Sequence, residues 1–282
     1  MEARVSWGRR FARLLAGLLL LAAVAMLGLY LATQAMLRAK DTPAFSALPK
    51  GDPVEGRRLA AVTGCTSCHG ADLGGRRFLS IPNVADLVAP DLSRVRDRYD
   101  DAGLLRVLRA GVKQDGYYAL GMPGHMQQRM SDREAADIIA FVRSVPPAAN
   151  PVAEATRVYP LGRLGLLLGK YRAYEGDAPE SAAVLRDRAD PRVGRHVAQI
   201  ACSECHGKSF EGNGEMGAPA LAIARAYSLE QFRRLLREGV TLAGTRSKSG
   251  LMSDVSLNRF RHLSDAEVAD LHAWLASSDR AR

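Results

Sequence analysis

CTSCHGADLGG at residues 65–75 and CSECHGKSFEG at residues 202–212 decide how this chain is read. Each opens on a C-x-x-C-H pentapeptide, Cys65, Cys68, His69 and Cys202, Cys205, His206, and the two together use all four cysteines of the sequence. Two thiols three residues apart at the start of a helix can add to the two vinyl groups of one haem, and the adjacent His then lies beneath the iron as its proximal ligand. A zinc site built from C-x-x-C pairs has no need of a His directly after each second Cys. A thioredoxin-like redox pair sits beside a βαβ pattern that is absent here, and simple disulfides fit an oxidising compartment. Duplication of the whole pentapeptide points to two covalently bound haem c groups, with Cys65, Cys68, Cys202 and Cys205 as attachment points and His69 and His206 as iron ligands.

Outward from the pentapeptides, residues 54–145 and 192–277 show the same features in the same order. Gly56-Arg57-Arg58-Leu59-Ala60 and Gly194-Arg195-His196-Val197-Ala198 lead into the cysteines. Ala89-Pro90-Asp91-Leu92 and Ala218-Pro219-Ala220-Leu221 follow them, and then helical stretches stop at Gly111 and Gly239. Each copy closes on a capping box, Ser131-x-x-Glu134 and Ser264-x-x-Glu267, ahead of apolar positions at helical spacing, with Phe141 and Trp274 equivalent. No strand pattern stands out, so two self-contained, mostly helical domains are expected, at residues 51–148 and 191–282. Residues 149–190 form a connector rich in Pro, Gly and Ala. Its apolar part, Leu161 to Leu168, is too short to cross a bilayer; it reads either as a strap packed over the domains or as a contact with a partner or lipid headgroups.

A sixth iron ligand is expected between the Pro segment and the last helix. Met122 in Gly121-Met122-Pro123 and Met252 in the loop Ser249-Gly250-Leu251-Met252-Ser253 hold that position in the two copies. A weak, neutral thioether favours ferrous iron, which suits a high-potential electron-transfer haem. His125 is the rival to Met122 and Met216 the rival to Met252, although Met216 follows His206 by only ten residues.

With these residues in place, each copy resembles a class I cytochrome c domain, so the fold class expected is mainly α: an N-terminal transmembrane helix followed by two tandem domains of that family. The resemblance implies that the carbonyls of Pro90 and Pro219 hold the proximal His rings. It also implies that the first and last helices of each domain cross at Gly56 with Phe141 and at Gly194 with Trp274. The first copy departs from the pattern in its nine-residue spacing from Gly56 to Cys65 and in a longer stretch before Pro90. More loosely, the whole resembles bacterial membrane-anchored dihaem cytochromes that accept electrons from periplasmic dehydrogenases or serve terminal oxidases.

The compartment is read from residues 1–40. Leu14 to Ala32 is an uncharged, apolar run long enough to span a bilayer as a helix, and Arg4, Arg9, Arg10 and Arg13 precede it. The positive-inside rule puts that end in the cytoplasm and the rest in the periplasm, tethered to the inner membrane. Cleavage near Thr33-Gln34-Ala35 would instead release the chain, and Arg9-Arg10 fits a twin-arginine signal badly.

The 282 residues are 47% hydrophobic and 24% charged, an ordinary composition for a pair of folded domains, while aromatic residues at 6% leave room for a buried cofactor. Six basic side chains against Glu2 place most of the formal charge of +9 in residues 1–40. No clustered basic stripe remains for nucleic acid. The expected partners are the bilayer and redox proteins, and the expected work is single-electron transfer. The competing class is a haem enzyme, such as a dihaem peroxidase or small-molecule dehydrogenase, with one open or switchable iron.

Overall fold

The computed structural model describes residues 2–39, 45, 47–174 and 193–277. Helix α1 (Glu2–Met36) carries the uncharged run, and most of its apolar side chains between Trp7 and Leu31 are exposed rather than packed on protein. By length and composition it can cross a membrane. Its far end does pack: Thr33 and Leu37 are buried, and the chain beyond bonds to the segment around Tyr117, with the Tyr118 amide donating to the Leu37 carbonyl at 3.0 Å.

The first domain begins where Asp52, in an extended conformation, accepts the Val54 amide and Pro53 takes a position whose missing N–H costs nothing. Helix α2 (Pro53–Val62) crosses α6 (Asp132–Ser144) at Gly56, where an added Cβ would lie 1.8 Å from the Asp137 carbonyl oxygen and 2.9 Å from the Phe141 Cβ. Only glycine lets the two backbones approach this closely. Between them lie α3 (Cys65–His69), α4 (Asp101–Ala110) and the one-turn α5 (Gly124–Gln127). The Ser131–Glu134 capping box is formed in full at the start of α6, and Gly111 ends α4 in the left-handed region at φ 64°.

The second domain repeats the plan. Helix α8 (Val193–Val197) crosses α12 (Asp265–Ala276) at Gly194, whose Cβ would meet the Asp270 oxygen at 2.1 Å and the Trp274 Cβ at 2.8 Å. The helical crossing implied by the family resemblance is therefore present twice. From α8 the chain runs through a π-helical turn, Ala198–Cys202, into α9 (Ser203–His206). The first copy instead breaks at Gly64, left-handed at φ 82°, before α3. That break absorbs the one extra residue between its helical Gly and its first Cys. Helices α10 (Leu229–Glu238) and α11 (Leu251–Asn258) complete the domain.

The sequence showed no strands, and here the structure corrects the reading. The extra stretch before Pro90 is an antiparallel hairpin, β1 (Arg76–Ile81) and β2 (Ala85–Ala89), with an irregular register between Arg77 and Leu79. It is completed by the two-residue β3 (Arg157–Val158) from the connector. β1 is largely exposed on both faces, so it lacks the apolar-polar alternation by which a strand is recognised.

The described part of the connector, residues 149–174, is a strap on the first domain. After β3, helix α7 (Pro160–Leu167) packs on α1, and Tyr174 seats its ring over Gly111 and Gly124. The Tyr174 hydroxyl donates to the Arg109 carbonyl at 3.0 Å and accepts from Gln128 Nε2 at 2.8 Å. Residues 175–190 of the connector and 278–282 at the C-terminal end lie outside the described residues.

The two domains meet through equivalent positions. Arg58 stands two residues after Gly56 and reaches Glu267, the capping-box carboxylate of the second domain, at 2.8 Å. His196 stands two residues after Gly194 and reaches Glu134, the capping-box carboxylate of the first, also at 2.8 Å. Six residues after each glycine, Val62 packs into the apolar core of the second domain and Ile200 into that of the first. The exchange is reciprocal, as in an isologous dimer, and gives the single chain a local two-fold relation between its repeats.

Candidate functional site

Helix α3 sets Cys65, Cys68 and His69 on the floor of a cavity of about 610 Å³, within the range of small-molecule sites. Its walls are mostly apolar: Leu73 and Phe78, then Leu104, Leu108, Ile138, Ile139 and Phe141 from α4 and α6, and Met122 with Pro123 from the turn before α5. Met122 lines the cavity, whereas His125, 8% exposed within α5, lies outside its lining.

His69 Nδ1 lies 2.9 Å from the Pro90 carbonyl oxygen. A carbonyl can only accept, so Nδ1 carries the proton and Nε2 is left with its lone pair for a metal. His206 repeats the arrangement with the Pro219 carbonyl at 2.6 Å. Burial pushes both imidazoles below the ordinary histidine pKa, against the opposing effect of the carbonyl bond, so both are neutral at neutral pH, as a ligand must be.

In the second domain, Cys202 and His206 are buried and Cys205 half-buried, beside a core of Phe232, Leu236, Phe260 and Trp274, with Phe210 edge-on to the Trp274 ring at 5.4 Å. Met252 packs half-buried against this core. It was expected in a loop but stands in the first turn of α11, because Gly250, left-handed at φ 76°, starts a helix within the glycine- and serine-rich stretch. Met216 is 37% exposed.

The thiols are not poised as nucleophiles. Burial pushes Cys202 up to about 12 and raises Cys65, Cys68 and Cys205 as well. A redox-active C-x-x-C pair has the opposite shift. Among the described residues, no three His, Cys, Asp or Glu side chains converge as a zinc site would require. An apolar cavity floored by two thiols and a neutral, oriented imidazole does fit a covalently attached haem.

The Cytochrome c family matches residues 53–146 and again residues 192–279, more than half of the chain. The chain belongs to the cytochrome c family. Its two cytochrome c domains bind haem c covalently, one each, and their work is haem-based electron transfer. No curated protein matches the chain significantly.

One residue of this cytochrome c escaped the sequence reading. Arg259, only 9% exposed, comes from the second domain and lies between the two attachment segments. Its Nε donates to Ser67 Oγ at 3.0 Å and its Nη1 to Glu204 at 2.5 Å. Ser67 and Glu204 are the same position of the two C-x-x-C-H motifs, so Arg259 sits close to the local two-fold relation. Arg259 and Glu204 both line the first cavity. No sequence signal marks Arg259, because its partners lie 192 and 55 residues away.

Proposed function

We propose that this chain is a membrane-tethered dihaem electron carrier. It takes single electrons from a donor such as a dehydrogenase or respiratory complex and passes them to an acceptor such as an oxidase or a soluble cytochrome. Cys65 and Cys68 hold the first haem and Cys202 and Cys205 the second. His69 with Met122, and His206 with Met252, are the axial pairs. Helix α1 is the anchor, in the inner membrane, with both domains on the periplasmic side.

The observation that carries the reading is the bridge Ser67–Arg259–Glu204, which holds the two attachment segments against one another. Haems fixed at facing segments can exchange electrons within one molecule, the protein supplying orientation, burial and charge. Met122 within the cavity lining, with His125 outside it, supports a thioether as the first distal ligand.

Flash reduction of the full-length protein in detergent, followed by time-resolved absorption, tests the reading. Redistribution of the electron between the haems at a rate independent of protein concentration is expected. Redistribution that speeds up with protein concentration would mean that electrons pass between molecules, and the reading fails. A high-spin haem that binds carbon monoxide would point to the enzyme class instead.

A further inference from the structure

Helix α7 turns an apolar face to the outside. Leu161, Leu164, Leu167 and Leu168 are 56, 41, 46 and 63% exposed, while Gly162 and Leu166 are buried. At Gly162 the helix lies so close to the hairpin that a Cβ would come 2.2 Å from the Val84 oxygen. At about 100° per residue the four leucines fall within an arc of roughly 120°, opposite Gly162 and Leu166. Four neighbouring leucines facing water form a patch of the kind that marks an interaction surface.

The position of α7 identifies the occupant. Arg163 Nη1 donates to Thr33 Oγ1 at 2.8 Å, and its guanidinium lies 4.2 Å from the Tyr30 ring centroid. Thr33 is the first residue after the apolar run Leu14–Ala32, so α7 is pinned at the level where α1 leaves the hydrocarbon. Lys170 and Arg172, both exposed, follow within one strap turn.

We infer that α7 is a second membrane contact, lying in the interface of the bilayer with its leucine arc in the acyl boundary. Arg163 snorkels along α1, and Lys170 and Arg172 face anionic headgroups. The inference rests on the reading of α1 as a membrane anchor. Its consequence is positional: the first cavity, whose lining includes Gln34, Leu37 and Arg163, is held against the membrane surface by two contacts instead of swinging on one.

The test uses the full-length holoprotein in phosphatidylethanolamine–phosphatidylglycerol vesicles. The native cysteines are taken up in haem thioethers, so Leu164→Cys and Leu168→Cys each add the thiol to be spin-labelled. Leu19→Cys in α1 and the second-domain Leu242→Cys, at positions 62 and 47% exposed, serve as references. Power saturation is read against a nitrogen-equilibrated baseline of the same sample, which removes the haem's own contribution, with oxygen as the lipid-phase relaxant and a nickel chelate as the aqueous one. Labels at 164 and 168 should respond to oxygen and be roughly fivefold or more less accessible to nickel than the label at 242. Nickel accessibility equal to that at 242, with 19 still deep in lipid, would overturn the α7 contact and leave the anchor standing. Protection from both relaxants would mean that protein covers this face, and the lipid assignment falls. Nickel access at 19 as well would remove the anchor reading and the α7 contact with it.

Discussion

Arg259→Gln removes the positive charge that Arg259 holds between the two attachment segments and leaves Glu204 in place. A cation beside a haem disfavours the ferric state, so its loss lowers the reduction potential. Taking, for scale, about 10 Å between the guanidinium and an iron held by His69 or His206, and an effective dielectric of about 20, one charge contributes roughly 1.7 kcal/mol. For a one-electron couple this is about 70 mV. The Arg259 side chain is only 10% exposed, so solvent screens little of it. Because it bonds to both motifs, both haems should fall by tens of millivolts in a spectroelectrochemical titration of the full-length protein. Glu204→Gln should move both upward, and the double substitution should return them close to native. Arg259→Gln should also loosen the domain contact by up to the about 1.5–3 kcal/mol of a hydrogen bond from a charged donor, since its bond to Ser67 is the one that crosses between the domains. Unchanged potentials in the single variant, or shifts that fail to cancel in the double, would refute the placement of this charge between the haems.

Gly56→Ala sets a Cβ 1.8 Å from the Asp137 oxygen and should cost at least the about 1–3 kcal/mol of an overpacked core, read as a lowered denaturation midpoint. Met122→Leu should abolish the methionine-to-iron charge-transfer band of the first haem and open it to carbon monoxide, whereas His125→Gln should leave the band intact. Acid should weaken the domain contact through Glu134. Burial raises its carboxyl, but the bonds from His196 and Ser131 more than offset this, so its pKa lies below the ordinary glutamate value. The stabilisation is therefore complete above the unfolded value of about 4.3 and is lost as pH falls through the lower folded value. The urea midpoint of the native chain should exceed that of Glu134→Gln at neutral pH, and the gap should close at pH values well below 4.3.

The repeated plan of the fold was legible because its determinants are local. A capping box spans four residues, Gly111 and Gly239 end helices by their own backbone freedom, and Gly56 and Gly194 mark close crossings through a side chain they lack. The attachment motif is equally local, which is why both cysteine pairs and their histidines could be read together. What the sequence hid depends on distant partners. β1 is exposed on both faces and carries no alternation, and β3 is two residues borrowed from a connector. Arg259 gains its place only when two domains dock. A partial signal for the docking did exist: Arg58 and His196 occupy the same repeat position, and so do the two capping-box glutamates that receive them. Met252 shows the opposite failure, since glycine and serine around it suggested a loop where the left-handed Gly250 starts a helix.

The most direct test of the central claim is haem content and ligation in the full-length protein, by pyridine haemochrome analysis together with the ferric far-red absorption band of methionine-ligated iron. Two haems per chain, the band at full two-haem strength and no carbon monoxide adduct are expected. One haem per chain, or a high-spin iron that binds carbon monoxide, would contradict the dihaem carrier.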